Sequence, residues 1–201
     1  MRSRISGRWA GTCATLAVLA AAGVEAAAGD AASPFPSNVR IEDDRAAAAV
    51  SKAVAGAAER LKKPACRALL RQFGDDHGRE LRENLETIGH PSERYLATHV
   101  LFYEGYRLPT CRSRRAKKGV AVTQPGSRVV FVCTTRFTDL AQRNPAEAEA
   151  VVIHEMLHTL GLGENPPSSD AITQAVTEAC PAVPPRRGAD SLALDGKPGP
   201  E

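Results

Sequence analysis

Between Ala150 and Asn165 the chain reads AVVIHEMLHTLGLGEN, which sets His154, Glu155 and His158 in one run and Gly161 and Glu164 just beyond it. On an α-helix, residues four apart lie one above the other on the same face. His154 and His158 can therefore converge on a single metal ion about 2 Å from each ring nitrogen. Glu155 adjoins the first histidine in sequence but points roughly 100° away around the helix axis. From there its carboxylate would serve a metal-activated water as general base, without ligating the metal. Two carboxylates are open as a third ligand. Glu164 follows the turn at Gly161, and Glu178 lies 20 positions after His158 on a helix expected from about Asp170 to Cys180.

The flanking residues signal the helix that must hold these groups. Asn144 is a good N-cap, Pro145 suits the first helical position, and Glu147 stands where a capping-box acid belongs. Val151, Val152, Ile153, Met156, Leu157 and Leu160 make most of the circumference apolar. Such a helix is buried on most sides, with the histidine face as its main polar strip. Gly161 supplies the left-handed residue that ends a helix and turns the chain back, carrying Glu164 toward the histidines.

The run His154-Glu155-x-x-His158-x-x-Gly161-x-x-Glu164 resembles the zincin metallopeptidases, and within them the metzincin branch. There the corresponding pattern ends in His, or in Asp in small secreted bacterial proteases. This chain departs from it in two ways. Glu164 stands at the third-ligand position, and no methionine follows the motif, since the only two are Met1 and Met156. The family's Met-turn is thus missing, and the likeness covers the 11 residues from His154 to Glu164. It implies zinc held by His154, His158 and Glu164, with Glu155 as catalytic base. It also implies an α+β fold: a compact zincin-like domain with a small antiparallel sheet and an active-site helix. Thermolysin-like zincins take their third ligand from a downstream helix, where Glu178 stands here. Their active-site helix has no need to stop at a glycine, so the compact turn favours Glu164.

Along the chain, residues 1–28 read as a secretory signal: Arg2, Arg4 and Arg8, then the apolar run Ala14–Val24, then Ala26-Ala27-Ala28 as a cleavage site. Residues 29–40 form a flexible lead, 41–180 the catalytic domain, and the proline-containing residues 181–201 a disordered tail. Within the domain, helices are expected over Glu42–Leu61 (a packed helix in preference to a pro-segment), Pro64–Phe73 and Arg79–Ile88. A strand is expected at His99–Tyr103. Arg107–Lys118 is a basic loop without interleaved aromatics, read as a solvated surface segment and a convenient site for maturation cleavage. Gly119–Thr123 and Arg128–Thr134 are strands joined by a type II turn at Gln124-Pro125-Gly126-Ser127. By analogy with the zincins, this hairpin borders the cleft and pairs with an extended peptide. His77 and His90 are read as surface histidines and His99 as an ordinary strand histidine.

The formal charge of +3 falls to +1 once the three arginines and one glutamate of residues 1–28 are removed. That balance gives no argument for nucleic acid or for an anionic membrane. Outside the leader, Cys66, Cys111, Cys133 and Cys180 make an even set, which in an exported protein reads as two disulfides. Of three connectivities, Cys66–Cys111 with Cys133–Cys180 is the pairing expected. The sequence thus points to a secreted, monomeric zinc metallopeptidase with a protein or peptide substrate, no nucleic-acid partner and no stable membrane association. A non-proteolytic zinc module, and a metal hydrolase of a cell-wall peptide or other amide, are the alternatives. Tyr95, Tyr103 and Tyr106 are the tyrosines available to stabilise an oxyanion.

Overall fold

A computed structural model of the chain describes residues 36–112 and 119–183. The expected signal segment, residues 113–118 of the basic loop, and residues 184–201 of the tail lie outside the described residues. The expected α+β class holds: eight helices and a four-stranded sheet among the described residues.

The long first helix, α1 (Asp44–Leu61), begins where Asp43 accepts the Ala46 amide at 2.7 Å. Ala46, Ala47, Val50, Ala53, Val54, Ala57 and Leu61 recur at helical spacing and are all buried. Their small side chains let neighbouring helices approach closely; Gly56 sits directly beneath the Glu149 side chain. Four short helical segments follow: α2 (Pro64–Ala68) with a 3₁₀ turn at Leu69–Arg71, α3 (Leu81–Ile88) and α4 (Ser92–Thr98) before the second strand, and α5 (Pro109–Arg112) after it. The C-terminal part contains α6 (Thr134–Arg143), α7 (Pro145–Thr159) and α8 (Ser169–Ala179).

The strands are β1 (Val39–Arg40), β2 (Leu101–Glu104), β3 (Ala121–Thr123) and β4 (Val129–Val132), in spatial order β1-β2-β4-β3. The sheet is mixed, which corrects the antiparallel sheet expected. Only the β3–β4 hairpin is antiparallel, while β1 pairs with β2 and β2 with β4 in parallel. Parallel neighbours need long crossovers. Helices α1 to α4 supply the one between β1 and β2, and the segment carrying α5 and β3 supplies the one between β2 and β4. Val39, Phe102, Val130 and Val132 point from the sheet into the core, where they join Leu61, Leu96, Ile153, Met156 and Leu157. Truncating one of these fully buried leucines to alanine costs about 2–5 kcal/mol.

The disulfides are Cys66–Cys180 and Cys111–Cys133, so the expected pairing was wrong. The reason lies in the packing. Helix α8 returns against α2, bringing the Cys180 and Cys66 Cα atoms to 4.5 Å. The segment after β2 folds over the end of β4, bringing Cys111 and Cys133 to 5.0 Å.

Candidate metal centre

Helix α7 takes the bounds its caps imply. The Asn144 side chain accepts the Glu147 amide, Pro145 opens the first turn, and every residue from Val152 to Thr159 is buried. Helix α1, helices α6 and α8, and strands β3 and β4 pack around it. The helix ends at Thr159 with Leu160 as its C-cap, and Gly161 follows at φ 109°, a left-handed conformation that a side chain strains. A Cβ at Gly161 would also meet Asp75 Cβ at 3.0 Å. The carbonyls at this end are taken up from outside the helix. The Gly126 amide, in the β3–β4 turn, donates to His158 O at 2.9 Å, and Asn84 Nδ2 donates to Leu160 O at 2.9 Å.

The turn brings Glu164 back to the two histidines. His154 Nε2 and His158 Nε2 stand 3.0 Å apart, and Glu164 Oε1 lies 3.5 Å from the first and 3.3 Å from the second. Ligand bonds of about 2.0–2.2 Å at tetrahedral angles place donor atoms about 3.3–3.5 Å from one another. Both histidine–carboxylate separations match this and the His154–His158 one is slightly shorter, so His154, His158 and Glu164 form a group that could hold a metal ion. The other carboxylate considered, Glu178, lies on the exposed side of α8 and accepts from Gln174 Nε2 at 2.8 Å.

The polarity of the rings points the same way. His158 Nδ1 lies 2.7 Å from Leu162 O. A carbonyl only accepts, so Nδ1 carries a proton, and Nε2 is the nitrogen left to present a lone pair to a metal. His154 Nδ1 meets the Thr173 hydroxyl at 3.0 Å, which orients that ring from α8. Burial, and then the adjacent His158, lower the His154 pKa to about 4 against the opposing pull of Glu164. The short His154–Glu164 contact is thus not an ion pair at neutral pH. In the tautomer that donates Nδ1–H to Thr173, His154 also aims its Nε2 lone pair at the common point. Two buried imidazole nitrogens and a partly exposed carboxylate oxygen thus converge on one point, an arrangement that a cation would complete.

Glu155 is buried beside this group, and its Oε2 has no hydrogen-bond partner among the described residues. Burial raises its pKa; nearby Thr123 and His158 oppose the shift. A cleft of about 460 Å³ opens over the four residues, with Val120–Thr123 along one wall and Ser169 and Thr173 along another. Strand β3 is an edge of the sheet, and its residues line this cleft.

None of the three tyrosines lines the cleft. Tyr95 is fully buried and donates to Thr159 Oγ1 at 3.0 Å, while Tyr103 and Tyr106 are exposed elsewhere. His77 is exposed, and His90 packs on His99 with ring centroids 4.5 Å apart, away from the metal group. Sequence reasoning missed Thr173, Leu162 and Gly126 as supports of the histidines. The Thr173 position on an expected helix, one face away from Glu178, was the only signal available for them. Comparison with protein-family models, with curated proteins and with solved structures finds no match for this chain.

Proposed function

We propose that this chain is a secreted zinc-dependent metallopeptidase that hydrolyses peptide bonds. The observation carrying this reading is the convergence of His154, His158 and Glu164 at 3.0–3.5 Å beneath an open cleft, with the Glu155 carboxylate buried beside them. Two nitrogens and one carboxylate oxygen are a donor set of the kind that binds zinc at catalytic sites. Bound there, zinc would lower the pKa of a water toward about 7 and polarise a carbonyl. Glu155 is the proton carrier: its carboxylate takes a proton from the attacking water and returns it to the leaving amine. Burial favours this role by raising its affinity for a proton above that of an exposed glutamate. Leu162 O holds His158 in the tautomer that keeps Nε2 available, and Thr173 Oγ1 orients the His154 ring. The outer edge of β3 offers main-chain hydrogen bonds to an extended peptide lying in the cleft.

Two disulfides suit an oxidising compartment, and the leader-like composition of residues 1–28 adds support for export. No helix among the described residues is long and apolar enough to cross a membrane. The test uses purified protein and a panel of unfolded protein, short peptides and cell-wall fragments. Glu155→Gln should retain zinc while cleavage falls by a factor of about 10² or more. Cleavage undiminished in that variant would overturn the mechanism. Zinc binding without cleavage of any panel member would instead make the chain a metal-holding module, and cleavage confined to cell-wall fragments would narrow the reaction to that amide.

A further inference from the structure

Strand β3 brings one hydroxyl to the metal group. Thr123 is its last residue, in register with the buried Val130 of β4, and it lines the cleft together with Glu155. Its hydroxyl oxygen is shielded from solvent and has no hydrogen-bond partner among the described residues, and the same is true of Glu155 Oε2. A buried hydroxyl can donate and a buried carboxylate oxygen needs a donor, so each has what the other lacks. Strand β3 packs directly on α7, and both side chains line the same cleft. The turn that begins at Gln124 is tied to α7 by the Gly126 amide, which donates to the carbonyl of His158. This bond ties the chain just after the strand to the helix that carries Glu155.

We infer that Thr123 is a positioning residue: its hydroxyl donates to Glu155 and holds that carboxylate turned toward the reacting water. The inference rests on the reading of Glu155 as proton carrier, and it assigns β3 a second role besides that of a peptide-binding edge. Thr123→Val keeps the shape and removes the donor, whereas Thr123→Ser keeps the donor. If the carboxylate depends on this bond, Thr123→Val lowers kcat about tenfold with KM unchanged, and Thr123→Ser stays within about twofold of the original. A rise in KM with kcat unchanged, or equal losses in both variants, would overturn the inference in favour of a substrate contact or a packing role.

A second measurement needs no activity. In metal-free protein, Thr123→Val should lower the melting temperature in the original background and leave it unchanged in a Glu155→Ala background, because the bond is already absent there. Equal effects in both backgrounds would overturn the inference. Should the original protein cleave nothing, the peptidase reading fails, while this cycle still decides whether Thr123 and Glu155 are bonded.

Discussion

Toward the N-terminal end of α7, the buried Arg60 spends its donors inside the protein. Its Nε donates to Cys180 O at 2.6 Å, and one terminal nitrogen donates to Ala146 O at 2.7 Å and pairs with Glu149 at 3.3 Å. Toward the C-terminal end, His154, His158 and Glu164 converge within 3.0–3.5 Å, and Glu155 Oε2 has no hydrogen-bond partner among the described residues. Both groups meet at α7, but the first is closed by an arginine from α1, whereas the second opens on the cleft. A closed polar cluster joins elements: here it ties α1, α7 and the end of α8 beside the Cys66–Cys180 bridge. An open one leaves room for something from outside. This contrast, more than the histidine spacing alone, separates a site from a structural polar patch.

The largest effect on folding should come from breaking the closed cluster. Arg60→Met strands two carbonyls and the Glu149 carboxylate, a loss of about 3 kcal/mol or more. In a protein of this size that lowers the melting temperature by about 6–12 °C. Because the metal group is separate, folded Arg60→Met should still bind its metal, and calorimetry with metal analysis checks both. Loss of metal without loss of stability would erase the distinction drawn between the two ends. Gly161→Ala tests the hinge on which the open group depends. A side chain at φ 109° that also presses on Asp75 should cost about 1–2 kcal/mol, and metal affinity should fall with it because Glu164 is displaced.

The loop behind that hinge gives the smallest effect, and it depends on pH. Hydrogen bonds, first from Asn84 and then from the Arg79 amide, hold the Asp75 carboxyl well below the ordinary carboxylate range. A depressed folded value means the stability gain is complete above the unfolded value of about 4 and is lost as pH falls toward the folded one. Asp75→Asn should therefore lower the melting temperature slightly at pH 7 and flatten its decline below about pH 4, as thermal melts across pH would record. An unchanged acid limb would show that Asp75 does not hold this loop.

The same contrast explains what could be read beforehand. Helix α7 was legible because its signals are local: Asn144, Pro145 and Glu147 at one end, Gly161 at the other, and histidines on one face. Glu164 was legible for the same reason, being carried by a short turn. The supports were not, since Thr173, Gly126 and Arg60 reach α7 from other elements and no spacing encodes such meetings. The two-residue β1 has no periodicity to detect, and the parallel order of the sheet follows from crossovers that only the packed helices define. Helix α6 was an avoidable omission: Phe137, Leu140 and Ala141 stand at helical spacing, and Phe137 is fully buried. Disulfide connectivity was beyond reach, because it depends on α8 returning to α2.

Metal content of the purified, folded protein tests the central claim most directly. Zinc-loaded protein, freed of excess ion and measured by plasma mass spectrometry, should hold about one zinc per chain. His158→Ala should lose it, Glu164→Ala should bind it far more weakly, and Glu178→Ala should match the original, all with unchanged circular dichroism. Zinc missing from the original protein, or retained by Glu164→Ala and lost by Glu178→Ala, would contradict the site described.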